Sequence, residues 1–157
     1  MNEEFFFKTN PQKSANKVTI NSYMMGSLFL VLSLIITLNP SQFSIAIMYQ
    51  LVLAIPLLYV SSLAYSKIGY HTENIKYWDT LGWFTNTTGN LFVMNSIGLL
   101  TARFDPLLAH IYFYLFVILM IIYTFLNIKN NKGVLYQKLF KLFFLLLIIF
   151  FGGLLIL

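Results

Sequence analysis

Apolar side chains fall along this chain in long blocks separated by short polar punctuation. The pattern is neither the two-residue alternation of a half-buried strand nor the one-sided stripe of a surface helix. Four blocks carry no Lys, Arg, Asp or Glu at all: residues 18–38, 39–66, 80–102 and 106–128. Each exceeds the roughly 20 residues that a helix needs to cross about 30 Å of hydrocarbon. A fifth charge-free block, 142–157, extends only about 24 Å as a helix, and Lys138 and Lys141 can lengthen it by snorkelling. The expected fold is all-α, a polytopic transmembrane bundle with five spans at about 18–38, 42–66, 80–103, 106–128 and 138–157. A polar lead, 1–17, precedes a single transmembrane helical domain, 18–157.

The punctuation supports those limits. Asn39-Pro40-Ser41 and Phe104-Asp105-Pro106 read as tight turns, because proline fixes one dihedral and pushes its predecessor out of the helical region. Pro106 suits the first position of the fourth helix, and Asp79 is placed to cap a third helix that starts at Thr80. Pro56 falls mid-span and is expected to kink the second helix. Gly133 breaks the last polar loop, and Gly152-Gly153 interrupts the final block.

Composition gives the class. Of 157 residues, 59% are hydrophobic and only 10% charged, whereas a soluble domain carries roughly 25% charged residues. Such a chain cannot build itself a wettable surface, so an integral, multi-pass protein of the cell membrane is expected, with the lipid bilayer as its principal partner. The first block lies beyond Glu3 and Glu4 and no small-residue cleavage pattern follows it, so it reads as a retained helix. The absence of Cys excludes disulfides and thiol chemistry.

The formal charge of +5 comes from cations scattered at helix ends, which suits orientation in a membrane and not nucleic-acid binding. If the third helix crosses, Lys8, Lys13, Lys17, Lys67, Lys76, Lys129, Lys132, Lys138 and Lys141 share one side, with Arg103 alone opposite. If it does not cross, the division is six against four. Cytoplasmic loops collect Lys and Arg, so five spans with a cytoplasmic N-terminus are expected.

The third block is the exception among the spans because it carries Thr85, Asn86, Thr87, Thr88, Asn90, Asn95 and Ser96. At 100° per residue Asn86 and Asn90 share a face, and Asn95 points away from them. Asn86, Thr88, Asn90, Asn95 and Ser96 are therefore candidate pore-lining or helix-contact residues, with buried contact between helices the simpler reading. Small residues at Gly26, Ser27, Gly89, Gly98, Gly152 and Gly153 are candidate helix contacts. Asn86-Thr87-Thr88 also matches a glycosylation sequon, but the expected orientation puts it on the cytoplasmic side.

Two ionisable clusters lie at the expected membrane faces. Arg103, Asp105 and His110 form an outer one, in which an ion pair across a turn is the plain reading and a proton- or anion-sensing entrance the functional one. His71, Glu73, Lys76 and Asp79 form an inner one, with groups suited to acid–base work but no HExxH or nucleophile motif. No charged residue is expected deep within a span, which argues against energised transport. No catalytic residue, metal or cofactor is assigned. The expected function is a non-enzymatic channel-like homo-oligomer or the membrane-anchored subunit of a larger system. A membrane-embedded enzyme acting on a lipid or apolar substrate, and a membrane sensor or regulator, are the alternatives.

Overall fold

The computed structural model describes residues 10–38, 43–70, 75–130 and 135–157. They form an all-α chain of five helices: α1 (Pro11–Leu38), α2 (Ile45–Tyr70), α3 (Ile75–Thr101), α4 (Pro106–Asn130) and α5 (Leu135–Ile149), the last running into a π-helical turn at Phe150–Leu154. Four helices are long and apolar enough to cross a membrane: Pro11–Leu38, Ile45–Tyr70, Pro106–Lys129 and Leu135–Leu154. The protein is thus a multi-pass membrane protein by helix length and composition. The turn at Asn39-Pro40-Ser41 and the break at Gly133 lie outside the described residues.

Three helix limits differ from the hydropathy blocks, for local reasons. Helix α1 starts at Pro11, seven residues before the first apolar block. Asn10 caps it, its Oδ1 accepting from the Lys13 amide at 2.8 Å, and Pro11 occupies the first turn, where its missing N–H costs nothing. Helix α3 starts at Ile75, so Asp79 lies inside the helix and is not its cap. Helix α2 runs on through Pro56, although that residue has no N–H to offer the Val52 carbonyl one turn back.

The chain divides into two compact units, Met1–Asn90 and Leu91–Leu157, with the boundary inside α3. In the first unit α1 and α2 are antiparallel neighbours: Lys17 bonds to Tyr65 and Asn21 to Ser61. That register sets Ser14 level with Ile68, Leu28 with Ala54 and Ile35 with Ile47, and all six are buried. The buried positions of α1 (Ser14, Asn21, Leu28, Leu32 and Ile35) follow a near-heptad spacing, the pattern of left-handed helix packing. Gly89 of α3 brings its backbone against Leu58, where a Cβ would meet Leu58 Cγ at 3.0 Å.

In the second unit Phe113 of α4 is the central side chain, fully buried with Leu91 and Ile149. It fits because α3 and α5 both present glycine to it. A Cβ on Gly98 would stand 2.5 Å from Phe113 Cζ, and one on Gly153 would collide with the same ring. Tyr112 completes the contact by donating to the Met94 carbonyl of α3 at 3.0 Å. Close approach through small residues is the usual route to tight helix packing where hydrocarbon supplies no hydrophobic drive.

Gly98→Val and Gly153→Val are each expected to lower stability by about 1–3 kcal/mol, the range for overpacking a tight core. Gly26→Val should be neutral, since a Cβ at Gly26 meets nothing within 4 Å. Thermal unfolding in detergent checks the contrast, and equal effects at Gly26 and Gly98 would refute the glycine socket.

Candidate functional site

The largest concentration of buried polar groups in the first unit lies where α1, α2 and α3 meet. Helix α1 contributes Ser14, Lys17 and Asn21, spaced three and four apart on one face. Helix α2 contributes Ser61 and Tyr65, and α3 contributes Asp79, Gly82 and Asn86 at the same three-and-four spacing. Asn21 Nδ2 donates to Ser61 Oγ at 3.2 Å, and Ser61 donates onward to the Gly82 carbonyl at 3.1 Å, with Asn86 Oδ1 as a longer acceptor at 3.5 Å. One hydroxyl thereby ties three helices together.

A charged layer sits one helical turn away. Lys17 Nζ donates to the Tyr65 hydroxyl at 2.9 Å and lies 4.2 Å from the centre of the Tyr65 ring. Asp79 is 2% exposed, and its carboxylate acts electrostatically on both Lys17 and Tyr65. A carboxylate taken out of water needs compensating charge nearby, and Lys17 supplies it. The Tyr65 ring lies against Gly82, where a Cβ would stand 2.9 Å from Cε1. Asp79 is thus a buried carboxylate in the second turn of α3, next to the expected start of the third span at Thr80 and not deep within it.

The second unit holds a smaller site. Asn95 is fully buried and its Nδ2 donates to the Ile148 carbonyl at 3.1 Å, just ahead of the π-helical turn. Its Oδ1 has no hydrogen-bond partner among the described residues and faces Gly153, where a Cβ would come within 3.1 Å of it. Single π-turns in α-helices often mark positions where a helix departs from regularity for a specific contact, and here Asn95 is that contact.

The remaining sequence-selected residues are placed as follows. Asn86, Thr88 and Asn90 are half-buried, and Asn90 Nδ2 donates to the Asn86 carbonyl at 2.8 Å. Ser96 is fully buried and donates to the Phe92 carbonyl at 2.8 Å. Arg103, Asp105 and His110 are all exposed. Asp105 Oδ1 accepts from the Leu107 amide at 2.8 Å, capping α4, and the His110 Nδ1 lies 2.8 Å from the Pro106 carbonyl. Because a carbonyl only accepts, that nitrogen carries the proton. His71 and Glu73 lie outside the described residues. Among the described residues no three His, Cys, Asp or Glu side chains come together.

Lys17, Asn21, Ser61 and Tyr65 were not singled out in the sequence, where each passes for an ordinary interfacial or span residue. The available signal was the repeated spacing: three helices each carry polar residues one turn apart near their lysine-rich ends. No family profile matches the chain, and neither a curated protein nor a solved structure is detectably similar to it.

Two substitutions test the charge layer. Lys17→Met is expected to cost about 1–3 kcal/mol. That is less than the 3–5 of a fully buried pair, because the ammonium keeps part of its solvent access. Adding Asp79→Asn should recover part of the loss. Chemical unfolding of the two single variants and the double in micelles reads the coupling, and strict additivity would disprove it.

Proposed function

We propose that this protein is a non-catalytic, multi-pass membrane component, the membrane-anchored subunit of a larger assembly, with α3 as a fifth crossing and the N-terminal end in the cytoplasm. The observation that carries this reading is where the polar groups of α3 go. Thr85, Asn90, Ser96 and Thr101 donate to carbonyls of their own helix. Asn86 and Asn95 reach Ser61 and Ile148 on neighbouring helices. A helix that satisfies itself and its neighbours in this way is suited to the interior of a membrane protein, where water is absent.

Length and charge support the same reading. Helix α3 has 27 residues and spans about 40 Å at 1.5 Å per residue, enough for a hydrocarbon core. Its crossing gathers nine of the ten cations on one side, as the inward bias of Lys and Arg favours. A channel-like oligomer is the second reading. It is favoured by the half-buried state of Asn86, Thr88 and Asn90, which leaves part of that face open to a second copy or to water.

The cysteine-free chain makes each introduced thiol unique. With an impermeant maleimide on intact cells, Asp105→Cys is expected to react, and Lys138→Cys only after permeabilisation. Labelling of Lys67→Cys and Asp105→Cys from the same side would establish that α3 does not cross. Purified protein in liposomes is expected to leave ion leak at the protein-free level. A leak abolished by Asn90→Leu would replace the subunit reading with the channel one.

A further inference from the structure

A groove of about 450 Å³ opens between the first turns of α1 and the last turns of α2. Ser14 and Tyr65 lie at its floor, 2% and 0% exposed. Val18 and Thr19 of α1 and Ser66 and Gly69 of α2 line its sides. The lining mixes apolar carbons with hydroxyls at both depths, Thr19 and Ser66 on the sides and Ser14 and Tyr65 at the floor.

Ser14 is the exception among the hydroxyls of its helix. Thr19, Ser22, Ser27, Ser33 and Thr37 each donate to the carbonyl four residues back. Ser14 does not: its Oγ is buried without a hydrogen-bond partner among the described residues, while the Asn10 carbonyl accepts from the Ser14 amide instead. A buried hydroxyl with no partner costs about 1–3 kcal/mol, and a ligand oxygen in the groove would remove that cost. The Tyr65 hydroxyl accepts from Lys17, so its own proton is available to a second acceptor. Lys13, one turn before Lys17 and close enough to act on it electrostatically, adds a further cation at the same end. Hydroxyls in the groove, the apolar carbons of Val18 and Gly69 on its walls and the Lys13 ammonium at the same helix end match an anionic headgroup carried on an acyl chain, while Lys17 is engaged by Tyr65 and Asp79.

We propose that this groove seats the phosphodiester group of an anionic phospholipid, with Ser14 donating to a phosphate oxygen and the acyl-glycerol portion lying along Val18 and Gly69. The site rests on the chain being membrane-embedded, and not on whether α3 crosses.

Native mass spectrometry of the full chain in detergent, titrated with phosphatidylglycerol or phosphatidylcholine, tests it. Phosphatidylglycerol should be retained with about tenfold preference, given the added attraction of nearby lysines. Gly69→Phe puts a ring at the wall of the groove, at a position where a Cβ meets nothing within 4 Å. It should abolish the preference while leaving the thermal midpoint unchanged. Ser14→Ala should weaken retention about fivefold, the value of one hydrogen bond. Equal retention of the two lipids, or a preference that survives Gly69→Phe, would overturn the site. Competition by inorganic phosphate at matched concentration would overturn the lipid assignment. None of these outcomes bears on the sidedness of α3, which cell-surface labelling reads separately.

Discussion

Hydrocarbon offers a polar side chain no partner, so a membrane-embedded helix that carries amides and hydroxyls has to bring their partners with it. That constraint organises this protein. Helix α3 concentrates such groups between Thr85 and Ser96, and its neighbours supply partners that its own backbone does not. Ser61 joins α1, α2 and α3 through a single hydroxyl, and Asn95 reaches across to α5. Glycine makes these bonds reachable. Gly82 and Gly89 let α3 close on α2, and Gly98 and Gly153 open the space that Phe113 fills.

The consequence for function follows from direction. Side chains that bond to their own carbonyls or to adjacent helices present little to water, whereas a conducting path needs a continuous polar lining. The outer surfaces point the other way: α4 exposes Leu108, Ile111, Leu115, Ile118 and Ile122, spaced three and four apart along one face, a surface suited to lipid tails. Charge remains at the helix ends with one exception, the Lys17–Tyr65–Asp79 layer. There the carboxylate of buried Asp79 acts electrostatically on the Lys17 ammonium, which also bonds to Tyr65. An ionisable group enclosed in this way fixes how its helices meet, and its partner cannot be removed without leaving the charge exposed to a low dielectric.

Much of the fold was legible from residue pattern. The five charge-free blocks correspond to α1, α2, α3, α4 and α5 with its π-helical turn, but only α1, α2, α4 and α5 are apolar enough to count as membrane-crossing helices. The turn at Pro106 begins α4 where proline geometry puts it. Hydropathy misjudged the helix ends because polar first turns contribute nothing to an apolar count. Asn10-Pro11 was a cap-and-start signal of the kind that marks a helix before its hydrophobic stretch begins. The misplaced start of α3 then made Asp79 look like a cap when it is an interior residue. Asn95, Ser96 and Gly98 were visible as contact residues because polar or small side chains stand out in a greasy block. Lys17, Asn21, Ser61 and Tyr65 were not, because pairing between helices depends on register, and a single chain read in order does not display it. The π-helical turn beside Asn95 had only Gly152-Gly153 to announce it.

The central proposal is that Asn95, Ser96 and the glycine face of α3 are closed off from water by the helix's own backbone and its neighbours. The most direct measurement is a cysteine scan along residues 80–101, read by a small charged thiol reagent on folded protein in bilayers. The account predicts protection at Gly82, Gly89, Asn95 and Ser96, with reactivity confined to the helix ends. A continuous reactive stripe through Asn86, Asn90 and Ser96 would contradict it.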